Sequence, residues 1–268
     1  MSATDISWIS LAAGLLLLVI PAGIFIYYKT GLFKSFLISY GRMILQLSLI
    51  GLYLEFIFDL NNIWVNSAWI LIMIIAADYT IIKRSELKVR YFWLPIAAGV
   101  ISGLVVTASI FIFLIMQEEF FMARFMIPIS GMIIGNSLNS SIIGIRTFYR
   151  SLVKEKQRYQ FLIMCGASKG EAIFEFFSEA IKAAFSPTIG STATIGLIWL
   201  PGMMTGQILG GADPVTAIKY QILIITSILV GGTITVVLSI NLSKRFVFDE
   251  YSRLETKFHS FEEEGESS

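Results

Sequence analysis

The stretch Tyr159-Gln-Phe-Leu-Ile-Met-Cys-Gly-Ala-Ser-Lys-Gly-Glu-Ala172 lies in the middle of residues 146–187, the one long polar segment between the apolar runs of the chain. Of the 268 residues, 56% are hydrophobic, and the mean hydropathy is +0.76. This composition is typical of a membrane protein with several spans rather than of a soluble domain. Residues 146–187 are too highly charged to be dissolved in lipid, so they separate membrane helices on either side.

Long apolar runs predict where the chain crosses the membrane, since one span requires about 20 apolar residues. Seven runs qualify, at residues 6–28, 36–58, 64–82, 91–116, 122–145, 188–210 and 218–243. We therefore predict an all-α polytopic membrane protein with seven transmembrane helices. Its transmembrane domain covers residues 1–245 and includes the loop 146–187, and residues 246–268 form a polar tail.

The distribution of charge predicts the orientation of these helices. All of the 20 Lys and Arg residues except Arg124 and Lys219 fall in segments that lie on one side of the membrane if seven spans alternate. By the positive-inside rule, this side is the cytoplasmic face of a plasma (inner) membrane, with the N-terminus outside and the C-terminus inside. The outer side is either a solvated anionic rim or a surface that attracts cations, and its acidic residues are Asp5, Glu55, Asp59, Glu118, Glu119 and Asp213.

Missing residue types and motifs exclude several kinds of site. Cys165 is the only cysteine and His259 the only histidine, which excludes a disulfide framework and a cysteine-based zinc site. The sequence contains no G-x-x-x-x-G-K-[ST] phosphate loop, no G-x-S-x-G elbow and no H-E-x-x-H helix. We therefore predict that the chain is not an enzyme, and we expect no cofactor of its own. The net charge of +1 gives no reason to expect nucleic acid as a partner.

Polar and sulfur-containing side chains within the spans are candidates for a transport path. Charged groups at membrane depth are costly and usually face a partner or a cavity. Asp78 and Arg42 could form a structural ion pair, snorkel to the interface or line an inner vestibule. For the two asparagines, hydrogen bonds between helices are the alternative role. The candidates are Arg42, Gln46, Glu55, Asp78, Asn136, Asn139, Met203 and Met204, and their spacing predicts no metal cage.

Glycines four residues apart lie on one helix face and predict that two backbones approach closely. The first pair is Gly99 and Gly103. The other candidates for helix packing, within one chain or across a dimer, are Gly131, Gly135, Gly202, Gly206 and Gly210. Prolines inside the spans are expected to kink them, at Pro95, Pro128 and Pro201.

The loop 146–187 has the features of a docking surface. A short helix interrupted by glycine could insert into a groove on a partner, as amphipathic peptides do. We expect one acidic stripe on the following helix, from Glu171, Glu175 and Glu179, and one apolar stripe, from Phe174, Phe177, Ile181 and Phe185. An amphipathic helix lying on the inner leaflet is the alternative. The candidates for coupling to a partner are Gly166, Ala167, Ser168, Lys169, Gly170, Glu171 and Glu175.

Three stretches carry a resemblance to known transporters. The first, Gly166-Ala-Ser-Lys-Gly-Glu-Ala-Ile, resembles the cytoplasmic loop of ABC-importer-type permeases, although Gln160-Phe-Leu stands where that pattern has Glu-Ala-Ala. The other two are Ile127-Pro-Ile-Ser-Gly-Met-Ile-Ile-Gly-Asn-Ser-Leu-Asn139 and Leu200-Pro-Gly-Met-Met-Thr-Gly-Gln-Ile-Leu-Gly-Gly-Ala-Asp-Pro214. They resemble the FetB-type permease family, which includes bacterial iron-export ABC permeases and plant aluminium-tolerance half-transporters.

This resemblance implies a membrane permease that works with a separate cytoplasmic ABC ATPase, which binds the ATP. It also implies a permease homodimer with two ATPases, and the export of a metal ion such as iron. In the plant members, the implied substrate is a nucleotide sugar. Two other functions stay open from the residues alone. One is a secondary carrier or channel without a motor, using Arg42, Glu55 and Asp78, and the other is a membrane scaffold that recruits a partner through the loop.

Overall fold

The computed structural model describes residues 7–113, 120–249, 252–255 and 258–259, and within these ranges the chain is built from α-helices and turns. The all-α prediction is confirmed for these residues. A 3-10 turn, Leu16–Leu18, joins the first two helices. In chain order the helices are α1 (Trp8–Leu15), α2 (Val19–Tyr27), α3 (Phe33–Leu60), α4 (Ile63–Arg84), α5 (Val89–Phe111), α6 (Ala123–Lys154), α7 (Lys156–Met164), α8 (Lys169–Thr192), α9 (Gly202–Leu209) and α10 (Pro214–Val247).

Six helical segments in the described part of the chain are long and apolar enough to cross a membrane. They are Ile9–Tyr27, which combines α1 and α2, and the helices α3, α4, α5, α6 and α10. Each coincides with one of the predicted spans, so the chain is a multi-pass membrane protein. Three of the acidic residues assigned to the outer side lie outside the described residues, namely Asp5, Glu118 and Glu119.

The predicted sixth span, residues 188–210, is not one helix, and this prediction was wrong. α8 ends at Thr192, turns follow, and α9 begins only at Gly202. Within the turns, Gly196 has a φ of +86°, a left-handed conformation that glycine adopts without strain. Pro201 does not kink a helix but precedes α9 as its N-cap residue. The apolar composition therefore continues through a segment whose backbone is broken.

The two ends of the bundle differ in charge. At the end that we call the basic end, the α4–α5 turn meets the last turns of α6, where Arg146 pairs with Glu86. The residues that give this end its charge are Lys83, Arg84, Lys88, Arg90, Arg146, Arg150, Lys244 and Arg245. At the opposite end, the distal end, Asn61 Oδ1 accepts a hydrogen bond of 2.9 Å from the N–H of Ala123.

The chain between α6 and α10 must return along the bundle, because these two helices run in the same direction. Gly232 faces Ser140, and nearer the basic end Tyr149 is hydrogen-bonded to Ser243. α8 runs the opposite way along α6, since Ala184 packs near Gly144 and Phe177 packs against Phe148. The broken segment formed by α8, the turns and α9 therefore makes the return from the basic end towards the distal end.

Small residues bring α5 and α10 together in the centre of the bundle. A Cβ added at Gly103 would lie 2.5 Å from the carbonyl oxygen of Gly231, and one at Gly99 would lie 2.7 Å from that of Thr235. On α6, a Cβ at Gly144 would lie 3.0 Å from Val236. The predicted close approach at Gly99 and Gly103 thus takes place within the chain, between two antiparallel helices.

The first three helices contribute little to this core. No residue of α2 is buried. α3 joins the rest of the chain near the distal end, where Ile57 packs with Ala123 and Ile127. The first half of α3, towards Phe33, exposes large apolar side chains such as Leu37 and Leu45.

The described part of the tail is not separate from the bundle but folds back onto its basic end. Phe258 is 1% exposed, and its ring lies 5.4 Å from that of Tyr149 and 6.1 Å from that of Phe92. Its carbonyl oxygen accepts a hydrogen bond of 3.0 Å from the N–H of Lys88. We call the described residues 248–249, 252–255 and 258–259 the C-terminal strap, because Phe248 bridges to Leu254 at the end of α10 and Phe258 and His259 contact the α4–α5 turn.

The strap makes a testable contribution to stability. Phe258→Ala is expected to lower the free energy of unfolding by about 3–5 kcal/mol, because it empties a fully enclosed aromatic site. The measurement is thermal unfolding of the detergent-purified protein, followed by tryptophan fluorescence. Phe56→Ala is the matched control, since Phe56 is 62% exposed. Equal melting temperatures for the two variants would contradict the packing described.

Candidate coupling surface and intramembrane polar groups

The turn between α7 and α8 is a well-defined helix termination. α7 ends at Met164, and Gly166 takes a φ of +91°. The N–H of Gly166 donates to the carbonyl of Ile163, and the N–H of Ala167 donates to that of Leu162. This pair of bonds is the Schellman motif, in which glycine supplies the left-handed residue that stops the helix. The predicted interruption at Gly166 is therefore a rigid turn.

α8 begins immediately after this turn with a reciprocal cap. Ser168 accepts a hydrogen bond from the N–H of Glu171, and the Glu171 carboxylate accepts one of 2.8 Å from the N–H of Ser168. The hydroxyl of Ser168 also donates to this carboxylate, at 2.7 Å. These hydrogen bonds hold the pKa of Glu171 below its ordinary value, so the group stays ionised near neutral pH. The capping box orients α8 relative to the turn.

Exposed ion pairs connect α7 to α8. Arg158 reaches Glu155 at 3.1 Å on its own side of the turn and Glu175 on α8. The two carboxylates raise the pKa of the Arg158 guanidinium further above its already high value. Exposed pairs stabilise a structure by only about 0–1 kcal/mol each, so they orient the two helices more than they stabilise the fold.

The α7–α8 unit exposes large apolar side chains. Phe161 is 61% exposed, Met164 is 77% exposed and Phe174 is 70% exposed. Large exposed apolar groups on a capped, regular unit are typical of an interaction site. We call these three residues, together with the turn 165–168 and Glu171 and Glu175, the coupling surface. Of the predicted coupling residues, Lys169 is half-buried with its ammonium 4.9 Å from the ring of Phe248, and Gly170 is exposed.

The predicted apolar stripe of α8 was partly wrong. Phe174 points outward, while the buried face consists of Ala172, Ile173, Phe176, Ala180, Ala184 and Phe185. Phe177 and Ile181 lie at the edge of this face, half-buried. The reason is that α8 packs along α6, where the close contact at Gly144 leaves room for the small residue Ala184. The acidic residues Glu171, Glu175 and Glu179 are exposed.

Sequence reasoning missed the residue that anchors α7. Tyr159 is fully buried, and its hydroxyl donates a hydrogen bond of 2.7 Å to the carbonyl of Ser252 in the C-terminal strap. Its ring lies 5.3 Å from that of Phe248. Burial, with a smaller contribution from Asp249, raises the pKa of Tyr159 to about 12, so the hydroxyl keeps the proton that it donates. An isolated tyrosine in a polar helix gives no pattern by which this role could be found.

The predicted path residues of α3 are all exposed. Arg42, Gln46 and Glu55 lie on surfaces that no described part of the chain covers. The described residues form no ion pair between Arg42 and Asp78, so the structural pair considered as an alternative is absent. Asp78 on α4 is instead buried, at 6% exposed, and its Oδ1 atom has no hydrogen-bond partner in the described structure.

On α6, the predicted polar residues form an exposed stripe. Gly135, Asn136 and Asn139 are exposed, and the Asn136 amide donates to the Met132 carbonyl of its own helix at 2.8 Å. A Cβ at Gly131 would lie 3.0 Å from Met73 of α4, whereas one at Gly135 would have no neighbour within 4 Å. Gly131 therefore lies at a contact within the chain, and Gly135 faces an open surface.

Of the predicted residues of α9, the methionines are buried or half-buried and the glycines Gly202 and Gly206 face an open surface. Met204 is buried and Met203 is half-buried against the core. Gly202 and Gly206 would have no neighbour within 4 Å of an added Cβ, and Gly210 would meet only the carbonyls of Gly206 and Gln207. Their proposed role in packing against a second copy stays a prediction.

Buried hydroxyl groups are the main feature of the bundle that sequence reasoning missed. They lie on α5, α6 and α10, and they are Thr107, Ser130, Ser137, Ser140, Ser141, Ser227, Thr235, Ser239 and Ser243. Thr107, Ser140, Thr235 and Ser243 donate to a carbonyl of their own helix. The oxygens of Ser137, Ser141 and Ser239 have no hydrogen-bond partner in the described structure. The spacing of Ser137, Ser140, Ser141 and Gly144 along one helical face was the available signal.

The described part of the chain contains no cluster of three or more His, Cys, Asp or Glu side chains that could hold a metal ion.

A cavity of about 480 Å³ lies at the distal end, between the α3–α4 turn and Phe121–Met122. None of the predicted path residues lines this cavity.

Comparison with known proteins places this architecture in a family. Residues 8–248 match the model of the Uncharacterised protein family (UPF0014), which is nearly the whole chain. The chain belongs to the UPF0014 family. The match extends through α1–α10, so both the coupling surface and the broken return segment belong to the family region. The expected resemblance to FetB-type permeases is confirmed.

Members of the UPF0014 family from bacteria and plants are similar along most of their length. The probable iron export permease protein FetB of Escherichia coli is 30% identical over 259 residues, covering 95% of this chain and 97% of that protein. The UPF0014 membrane protein YjkA of Bacillus subtilis is 31% identical, covering 92% and 98%. Protein ALUMINUM SENSITIVE 3 of Arabidopsis thaliana is 30% identical, covering 83% and 80%. No solved structure matches the chain.

Proposed function

We propose that this chain is the membrane permease subunit of an ABC transporter, driven by a separate ATPase subunit that binds the ATP. The observation that carries the proposal is the capped α7–α8 unit, which exposes Phe161, Met164 and Phe174 beside its turn. An apolar patch on a rigid helical unit fits a groove on a partner protein. The absence of a phosphate-loop motif from the sequence explains why the motor would be a different chain.

A protein groove fits this surface better than the lipid surface considered as the alternative. Glu171, Glu175 and Glu179 are exposed on α8 close to the apolar side chains. Anionic lipid would repel this acidic face, whereas a groove with an apolar floor and a basic rim would complement it. The proposed partner is therefore an ATPase with such a groove.

The proposed orientation follows from the charge of the bundle ends. The coupling surface follows directly on α6, which ends among the basic residues Arg146, Arg150 and Lys154. By the positive-inside rule, this end lies in the cytoplasm of a bacterial-type inner membrane or plasma membrane, where ATP is available. With the broken return segment as the seventh crossing, the N-terminus lies outside and the C-terminus inside.

The broken return segment supports a role in transport. In lipid, an interrupted helix is tolerated only where it is covered by protein or lines a water-filled cavity. Residues 193–200 are largely exposed in the single chain, with Leu197 at 89%. The exposed polar stripe of Gly135, Asn136 and Asn139 on α6 also needs to be covered by protein or to line a water-filled cavity. A second permease copy that encloses a path against these surfaces satisfies it.

We propose a metal ion such as iron as the substrate and export as the direction, because the Escherichia coli relative is named a probable iron export permease. The test is to express the chain with an ABC ATPase partner and measure cellular metal content by mass spectrometry. We expect lower iron in these cells than in cells with a hydrolysis-deficient ATPase. Unchanged iron and unchanged content of every other metal would remove metal export. Transport into liposomes by this chain alone would instead favour a carrier without a motor.

A further inference from the structure

We infer that the C-terminal strap holds α7 in place and thereby sets the geometry of the coupling surface, with Tyr159 as the positioning residue. This inference rests on the proposed function in one respect, because the coupling surface is where the ATPase is proposed to dock. The polar tail, predicted from the sequence to lie outside the transmembrane domain, thus takes part in the same site.

The first observation is that Tyr159 is the one fully buried side chain of α7. Leu162 and Ile163 are half-buried at the edge of the core, while Phe161 and Met164 point outward. A helix of nine residues is too short to be stable by itself in water, so α7 depends on its packing. The surroundings of Tyr159 therefore largely determine where α7 lies.

The second observation is that the strap supplies these surroundings. The Tyr159 hydroxyl donates to the carbonyl of Ser252 at 2.7 Å, and the Tyr159 ring lies 5.3 Å from that of Phe248. Phe248 and Leu254 are themselves buried. The strap also meets the first residue of α8, since the ammonium of Lys169 lies 4.9 Å from the ring of Phe248. The strap therefore contacts the helices on both sides of the coupling turn.

The third observation is that the strap is itself fixed at two points. Near its start, the N–H of Asp249 donates to the carbonyl of Arg253 at 3.0 Å, and the N–H of Arg253 donates to the Asp249 carboxylate at 2.6 Å. These bonds hold the Ser252 carbonyl that accepts from Tyr159. Near its other end, Phe258 is enclosed by aromatic rings of α5 and α6. The strap is thus a fixed support for α7.

The coupling surface needs this support, because a preorganised surface binds a partner more tightly than one that must first be ordered. Phe174 keeps its position independently, since α8 packs along α6. Phe161 and Met164 belong to α7, so they complete the surface only while α7 rests on the strap. Loss of the strap contact should therefore weaken partner binding without removing any exposed side chain of the surface.

The test is amide hydrogen exchange of the full chain in detergent, measured by mass spectrometry of peptides from α7 and α8. Tyr159→Phe removes only the hydroxyl, and we expect it to raise the exchange rate in α7 by about 2- to 10-fold, the effect of one lost hydrogen bond. Tyr159→Ala also removes the ring and should leave α7 unprotected. Exchange in α8 should not change. Ser252→Ala is the matched control, because it retains the accepting carbonyl and should behave as the unmodified chain does.

Phe258→Ala tests the strap from its other end. Phe258 packs against Phe92 and Tyr149, and we expect its truncation to raise exchange in α7 by releasing the strap. Unchanged exchange of α7 in both Tyr159→Phe and Phe258→Ala would overturn the inference. Equal increases in α7 and α8 would also overturn it, because they would show a general loosening of the bundle.

Capture of an ABC ATPase by the same preparations separates this inference from the proposed function. We expect Tyr159→Ala to capture the ATPase at least about tenfold more weakly, since affinity falls with the fraction of molecules in the competent state. Tyr159→Phe, which keeps the ring, should recover most of the affinity. Equal capture by Tyr159→Ala and the unmodified chain would overturn the role in partner binding. No capture by the unmodified chain, together with the expected exchange, would contradict the proposed function and support the role of the strap.

Discussion

Gly103→Leu is expected to leave almost no folded protein, and Gly103→Ala to lower the free energy of unfolding by about 1–3 kcal/mol. A Cβ at this position would lie 2.5 Å from the carbonyl oxygen of Gly231 and 2.8 Å from Thr235 Oγ1. The nearer atom belongs to the backbone of α10, so no side-chain rotation can relieve the contact. The two helices would have to separate where they pack most closely.

Thermal unfolding and the yield of monodisperse protein in detergent measure this effect. Gly41→Ala and Gly51→Ala in α3 are matched controls, because an added Cβ at either position has no neighbour within 4 Å. Both controls should unfold at or above the temperature of the unmodified chain, since alanine favours a helix more than glycine does. If Gly103→Ala were as stable as Gly41→Ala, the close packing of α5 on α10 would be contradicted.

Phe174→Ala is expected to weaken binding of the partner ATPase by about 30-fold or more without changing the fold. Truncation of a central aromatic residue in an interface typically costs 2 kcal/mol or more, which corresponds to this factor. The side chain is 70% exposed and contributes little to the core of the permease. The measurement is capture of the ATPase by the immobilised full chain over a range of ATPase concentrations.

Two further variants sharpen this second experiment. Ala167→Arg places a bulky charge in the turn while preserving the backbone hydrogen bond from its N–H to the Leu162 carbonyl, and it should also prevent capture. Phe56→Ala removes an equally exposed aromatic residue from α3 and should leave capture unchanged. Normal ATPase binding by both Phe174→Ala and Ala167→Arg would show that the partner does not dock on the coupling surface.

The sequence was most informative where one physical requirement dominates. Apolar length predicted the six helices that could span a membrane, because a helix satisfies its own backbone hydrogen bonds in lipid. The same criterion failed for residues 188–210, because hydropathy does not register the left-handed Gly196 or the position of Pro201. A broken apolar segment and a continuous apolar helix have the same composition.

Predictions of individual contacts depended on information that a single sequence lacks. The spacing of Gly99 and Gly103 identified a face for close packing, but equal spacing at Gly202 and Gly206 faces open surface in this chain. The periodicity of α8 placed Phe174 in one apolar stripe with Phe177, Ile181 and Phe185, but only the contact with α6 decides which of these side chains are buried. The strap and its anchor at Tyr159 could not be foreseen, since they join residues about 90 positions apart.

Cross-linking from Cys165 tests whether an ABC ATPase docks on the coupling surface. This residue is the only cysteine of the chain, and it is exposed in the turn of the coupling surface. The full chain would be purified together with an ABC ATPase and labelled with a photoreactive maleimide, with Cys165→Ser as the control. We expect one adduct between the two proteins, located in a groove of the ATPase and absent from the control. A stable complex without any adduct, or an ATPase that never associates with the chain, would contradict it.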